Sequence, residues 1–296
     1  MPGLDRNRRA EAGHPQTRQA PPVLGGEAVD AGRSRELSGE ITYAGVLHLH
    51  QLLSLQQPLS REPSSEELLF VVVHQVTELW LKQALADLER ARDAMTGGDL
   101  PLALRLVRRA TDVVRVIDRG FALIEALPAY EYRRFRPWLR GGSGFQSAQF
   151  REFEILLGIR REFALDQPAF SAEERRRIQE RLRAPGLWDG FLAAARAQGL
   201  DLPGREQAAA DPEARDRVLE TLRELYLTGN PPLLRDLAEA LVELDSAVAL
   251  WRHRHAVMAD RQIGSKPGTG GYGVEYLYRT ARIRAFPELW EVRAYL

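Results

Sequence analysis

The sequence has no cysteine, only two lysines (Lys82 and Lys266), six histidines and no net charge, its 41 basic residues being matched by 41 acidic ones. Without cysteine there is no disulfide, no thiolate nucleophile, no iron–sulfur cluster on protein thiolates and no thiolate-ligated haem. Redox chemistry would have to run on a cofactor held by nitrogen or oxygen. Two lysines leave few candidates for a Schiff base, and the balanced charge offers no field for a nucleic-acid backbone, so no nucleic-acid partner is expected. No segment reaches the roughly eighteen uninterrupted apolar residues of a membrane span, so no membrane partner is expected either. Residues 1–37 are polar and rich in Arg, Gly and Pro, and read as a mobile tail rather than a secretory signal; Glu11, Glu27 and Asp30 argue against a transit peptide. A cytoplasmic protein is the expectation.

What remains is a chain of 296 residues, 44% apolar, long enough to bury a large core in one domain spanning 38–296. From Tyr43 the pattern is helical almost throughout, and period-two alternation is confined to short patches, so the expected class is all-α. A helical run from Tyr43 to Leu53 precedes a Pro/Ser-rich break over 57–65. A long helix then begins near Glu66, with Leu69, Val73, Val76 and Trp80 as its core face and Phe70, His74 and Glu78 as a second, mixed column fit to line a pocket. Further helices are expected over 102–127, 145–157 and 232–263. The charged stretch around 171–228 reads as shorter helices in an outer insertion.

The chemistry-bearing residues cluster late in the chain. Trp251-Arg252-His253-Arg254-His255 closes a helical pattern and is followed by the glycine-rich run Gly264-Ser265-Lys266-Pro267-Gly268-Thr269-Gly270-Gly271. An imidazole able to bind a metal thus lies beside a loop whose backbone amides can approach a ligand. Earlier, Tyr132 and Arg136 fall one helical turn apart among Phe135 and Trp138, an environment suited to a partly enclosed anion. A histidine such as His74 on a largely apolar helix is more often a hydrogen-bonded core residue than a ligand. These residues alone point to a small-molecule pocket and go no further.

Their combination resembles the tryptophan 2,3-dioxygenase superfamily at four separated places. These are Thr42-Tyr43 with Gln51-Leu52-Leu53 and Gln57-Pro58-Leu59-Ser60; Leu69-Phe70, His74-Gln75 and Thr77 to Lys82; Phe135-Arg136 with Ser143 to Ser147 and Gln149-Phe150-Arg151; and Trp251-Arg252, Arg254-His255 and Arg261 to Gly271. The resemblance implies a helical-bundle haem domain holding haem b, with O₂ as co-substrate and L-tryptophan or a substituted tryptophan as substrate. It places the proximal iron ligand at His255, with Trp251 and Ser143 also beside the cofactor. His74 becomes the catalytic histidine facing the indole N–H, Phe70 packs on the aromatic substrate, Arg136 pairs with its carboxylate, Tyr132 lies alongside, and Thr269 sits on the closing loop. Tyr43 belongs to a first helix that reaches a neighbouring pocket, so a homotetramer is implied. The expected reaction opens the indole C2–C3 bond to an N-formylkynurenine.

Three departures bear on that transfer. Val46 stands where a second tyrosine is usual, His50 where an acidic residue is usual, and the loop reads Gly268-Thr269-Gly270-Gly271-Tyr272-Gly273, one residue shorter, with tyrosine in place of serines. They leave room for a second reading, a monooxygenase forming a 2-oxindole or hydroxylated product from a modified tryptophan in secondary metabolism. A third, a non-catalytic haem- or indole-binding protein, fits less well with the joint presence of His74, Arg136 and Thr269.

Overall fold

The computed structural model describes residues 41–161 and 167–296, and among them no strand forms. The chain divides into two units, residues 1–52 and 53–296. In the first, α1 (Tyr43–Val46) and α2 (Leu49–Leu52) are separate single turns. The continuous helix expected from Tyr43 to Leu53 is interrupted because His48 adopts a left-handed φ of 50°, unusual for a residue with a Cβ. Tyr43 and Val46 of this unit are exposed, and the tail expected over 1–37 lies outside the described residues.

The second unit is built on three long helices. α3 (Ser65–Thr96) starts where the Ser64 hydroxyl accepts from the Glu67 amide, with Glu66 and Glu67 in its first turn, a favourable placement of negative charge at a helix N-terminus. The Glu67 carboxylate also accepts from the Leu59 amide at 2.6 Å and the Ser60 amide at 3.0 Å, fixing the preceding Pro/Ser-rich segment against α3. α3 ends at Gly97-Gly98, where Gly98 takes a φ of 82°, and Asp99 caps α4 (Leu100–Glu125) with Pro101 in its first turn. So short a turn makes α3 and α4 antiparallel neighbours. Asp87 joins them, accepting from Arg109 Nε at 2.8 Å and Gln83 Nε2 at 3.0 Å.

α3 buries only part of the face expected: Val73 is in the core and Leu69 packs against it, but Val76 and Trp80 do not follow. Val73, Thr77, Leu81, Ala84 and Leu88 are buried, whereas Val76 and Trp80 are 42% and 37% exposed and Leu69 is only partly covered. The helix is apolar on more than one side, so spacing alone does not say which side α4 takes. On α4 the pattern is unambiguous: Val107, Ala110, Val114, Ile117, Phe121 and Ile124 are buried at steps of three and four. α11 (Pro232–Ile263) packs along α4, with Leu237, Leu241, Leu244, Val248 and Trp251 buried.

Between them lie α5 (Ala129–Phe135), α6 (Ala148–Leu156), α7 (Ala172–Arg183), α8 (Leu187–Ala197), α9 (Arg205–Ala210) and α10 (Pro212–Thr228). The charged stretch expected as an outer insertion is not peripheral throughout. α7 carries the exposed charge, but Leu187, Trp188 and Phe191 of α8 enter the main core against α3. Full burial of each such side chain is worth about 1.5–3 kcal/mol, enough to outweigh the charged flanks. α12 (Val274–Ala281) and α13 (Pro287–Glu291) finish the chain. Buried Asp245 of α11 holds this return by accepting from the Ala285 amide at 2.9 Å and Trp290 Nε1 at 2.8 Å.

Candidate functional site

Where α3, α4 and α11 meet the turns after α5 and the glycine-rich loop, they enclose a cavity of about 670 Å³. That is the size range of a cofactor or substrate site. Of the residues singled out from sequence, Phe70, His74, Tyr132, Ser143, Trp251, His255 and Thr269 all line it. Arg136 does not. It stands behind Tyr132 and donates from Nη2 to the Pro267 carbonyl at 2.5 Å, which ties it to the base of the loop. Its Nε is buried without a hydrogen-bond partner among the described residues. Tyr43 belongs to the first unit.

His74 is held in one tautomer. Its Nδ1 lies 2.7 Å from the Phe70 carbonyl one turn earlier. A carbonyl only accepts, so Nδ1 carries the hydrogen and Nε2 is left as an acceptor. Burial lowers the pKa of His74, partly offset by that carbonyl and by Glu78, so the ring is neutral at pH 7. Phe70 packs against it with tilted rings at 4.1 Å between centroids.

His255 is the more enclosed of the two. Burial, with a smaller contribution from His74, drives its pKa down to about 4. The ring is partly accessible only because it borders the cavity. Neither nitrogen has a hydrogen-bond partner among the described residues. Phe121 makes edge contacts with His255 at 5.3 Å, His74 at 5.9 Å and Trp251 at 5.8 Å. Among the described residues, no three His, Cys, Asp or Glu side chains gather as a metal site. A metal at His255 therefore has to bring most of its own ligands, which is what a porphyrin does. A neutral imidazole with a free lone pair beside aromatic and aliphatic walls fits haem ligation. His253 is exposed, its ring tilted against Tyr278 at 5.9 Å, and does not line the cavity.

The loop is tightly seated. The Gly268 amide donates to the Tyr272 carbonyl at 2.8 Å, and Gly271 turns the chain with a φ of 83°. Gly270 presses on Ser143, where a Cβ would meet the hydroxyl at 2.9 Å. Tyr272, the residue that departs from the usual loop, packs on Phe145 at 4.8 Å and Tyr276 at 4.9 Å and forms part of the cavity wall.

Several wall residues were not anticipated as site residues, among them Phe121, Gln262, Tyr276 and the buried Arg151, Arg161 and Arg252. The one sequence signal for the last group is charge inside apolar stretches: Arg151 and Glu154 stand a helical turn apart between Phe150, Phe153, Ile155 and Leu156.

The family model of tryptophan 2,3-dioxygenase matches residues 27–212 and 226–296. Similar proteins include the tryptophan 2,3-dioxygenase of Herpetosiphon aurantiacus, 37% identical over 261 residues that cover 87% of this chain and 99% of that protein. That of Caulobacter vibrioides is 37% identical over 274 residues, covering 88% of this chain and all of the relative. That of a Nocardioides species is 38% identical over 269 residues, covering 88% and 97%.

Proposed function

The chain belongs to the tryptophan 2,3-dioxygenase family, and from that premise we propose that its cavity holds haem b and oxygenates the indole ring of L-tryptophan across C2–C3, giving an N-formylkynurenine. Membership places it among haem dioxygenases, which are enzymes. The observation that carries the reading is a pair of neutral imidazoles, His74 on α3 and His255 on α11, lining one cavity and sharing the edge of Phe121.

In this assignment His255 would hold the iron through a ring nitrogen that makes no hydrogen bond among the described residues. Haem, when bound, supplies the O₂-activating centre. Phe70 packs on the indole, and His74 accepts the indole N–H at Nε2, because its Nδ1 hydrogen is committed to the Phe70 carbonyl. This hydrogen bond orients the ring and gives the proton a place to move. Arg136, behind the lining residue Tyr132 and tied to the loop base at Pro267, is assigned the substrate carboxylate on the family pattern, a role it fills only if the loop shifts to bring its guanidinium to the cavity; its rigid fork suits that role better than a lysine. Thr269 and the loop amides face the amino-acid end, Ser143 and Trp251 contribute to the walls, and Tyr272 over Phe145 and Tyr276 excludes water from that side.

The Tyr272 cluster also supports a second reading. A bulky ring on a shortened lid reshapes the pocket, which favours a substituted tryptophan and, if the indole is displaced, transfer of one oxygen atom in secondary metabolism. Self-association as a homotetramer accompanies the main reading. Exposed Leu68, Val72, Val76, Leu79 and Trp80 form an apolar stripe on α3 that fits a second copy of the chain. Among the described residues, no helix is long and apolar enough to cross a membrane.

The test is to load the apoprotein with haem b, reduce it, and add L-tryptophan in air. Product formation that vanishes together with histidine ligation in His255→Ala supports the assignment. Unchanged haem content and ligation spectrum in that variant overturn it.

A further inference from the structure

The mixed column of α3 has a third member beyond Phe70 and His74. Glu78 stands one turn after His74 and is the only carboxylate that lines the cavity among the described residues. Buried Asp87, Glu152 and Glu154 each pair with an arginine. Glu78, only partly buried, makes no ion pair among the described residues, and Lys82 one turn further on is exposed. Its hydrogen-bond partner is an amide. Gln149 Nε2 donates to a Glu78 carboxylate oxygen at 2.7 Å and to the Glu78 backbone carbonyl at 3.1 Å, which uses both hydrogens of that nitrogen. Gln149 is in turn fixed in the first turn of α6, where the Ser147 hydroxyl accepts from the Phe150 amide at 3.0 Å. A neutral amide anchors the carboxylate without neutralising its charge.

That charge acts on His74. Side chains on a helix lean toward the preceding turn, so Glu78 leans toward His74 as His74 leans toward the Phe70 carbonyl it bonds. The field of Glu78 opposes the effect of burial on the imidazole. The groups that meet His74 from other elements add no charge to this. Phe121 of α4 is apolar, His255 of α11 is neutral with its pKa at about 4, and Tyr132 of α5 stays neutral because burial raises its pKa. Arg151, Arg161 and Arg252 line the same cavity, but none of them shifts His74.

We infer that Glu78 is a positioning residue for His74: its anchored charge favours the imidazolium that forms when Nε2 takes the indole proton. The indole N–H bond breaks as the Nε2–H bond forms. The proton returns to the same nitrogen once the ring has opened to the N-formyl product, so none is consumed. Glu78 takes no proton itself, because the other ring hydrogen of His74 stays on Nδ1 against the Phe70 carbonyl. It acts through its charge alone. The inference rests on the oxygenation reading above and adds the group that makes His74 a competent acceptor.

Glu78→Gln separates charge from packing, since an amide oxygen at this place still accepts from Gln149. In the haem-loaded enzyme with L-tryptophan, kcat should fall about tenfold, the equivalent of about one pKa unit. KM, thermal unfolding and the Soret band should stay as in the unmodified protein. In a His74→Ala background the same substitution should change kcat by less than about twofold. In the apoprotein, the ring ¹⁵N signals of His74, assigned by their loss in His74→Phe, should show a protonation midpoint lower by about one pH unit in Glu78→Gln. An unchanged midpoint overturns the inference, and so does a tenfold loss of kcat that persists without His74. A lower unfolding temperature with kcat unaltered also overturns it, leaving Glu78 only as a tie between α3 and α6. Should Glu78→Gln fail to fold, Gln149→Met frees the carboxylate from its anchor and should lower the midpoint in the same direction; no change there is equally fatal. If the unmodified protein binds no haem or leaves L-tryptophan untouched, the oxygenation reading fails whatever the midpoint does, so the two failures are told apart.

Discussion

Gly270→Ala tests whether closure of the glycine-rich loop depends on contact with Ser143. The added Cβ would lie 2.9 Å from the Ser143 hydroxyl, 3.2 Å from Ser143 Cβ and 3.6 Å from Phe145 Cβ. Rotating the hydroxyl relieves only the first contact, because Ser143 Cβ is fixed to a backbone whose amide and hydroxyl cap the next turn. Gly270 does not occupy the left-handed region, so alanine meets no backbone penalty there and the effect is steric. Overpacking of this kind costs about 1–3 kcal/mol. The loop is a short local element, so the cost should fall on its closure rather than on the helical core. Substrate binding should then weaken by about 5- to 150-fold, with global unfolding almost unchanged. The assay is tryptophan affinity of the haem-loaded protein by calorimetry, paired with thermal unfolding. Ser143→Gly removes both close atoms, so the double variant should regain affinity relative to Gly270→Ala, giving a coupling energy of about 1 kcal/mol or more. Tryptophan affinity unchanged in Gly270→Ala, or no recovery in the double variant, would refute the idea that this contact seats the lid.

Arg136→Leu should raise KM for L-tryptophan by roughly 30-fold or more while haem uptake is spared, since losing one partner of a desolvated charge pair costs about 2–5 kcal/mol. Equal use of tryptophan and tryptamine by the unmodified enzyme would remove the carboxylate role. Burial lowers the pKa of His74 from its usual 6.5, so below that value the unfolded chain takes up a proton that the folded chain resists. The apoprotein should keep this contribution above about pH 6.5 and lose it progressively as the pH falls toward the depressed value. Denaturant titrations of His74→Phe across that range should show a shallower acid-side loss, with His255 supplying the remainder; an identical slope would mean that His74 is not buried neutral.

How far the sequence carries depends on the kind of signal each residue offers. α11 is legible at both ends because Pro232 and Gly264 mark them and the apolar spacing between is regular. His74, Phe70, His255 and Thr269 are legible as a group because their motifs lie in family order, and the cavity gathers them. The break at His48 is not legible, since no glycine or proline announces a left-handed residue. The buried face of α3 is legible only in part: Val73 is inside as its spacing suggests, but Thr77 and Ala84 are inside while Val76 and Trp80 are outside, so hydrophobicity alone misplaces half of the column. The arginine group escapes for a related reason. Local reading sends charge to solvent, whereas Arg151 and Arg252 are buried by partners 98 or more residues away or by a glutamate within their own helix. Arg136 shows the limit at finer scale, since its pairing with the Pro267 carbonyl at the loop base depends on how two distant segments meet.

The most direct test of the central claim is an isotope count. The reduced, haem-loaded protein is incubated with L-tryptophan and, separately, with β-substituted and ring-substituted tryptophans under ¹⁸O₂, and the products are weighed by mass spectrometry. The account predicts two labelled oxygen atoms in a ring-opened N-formylkynurenine from L-tryptophan. One labelled oxygen in a product whose indole-derived ring is intact would contradict it and establish the monooxygenase reading instead.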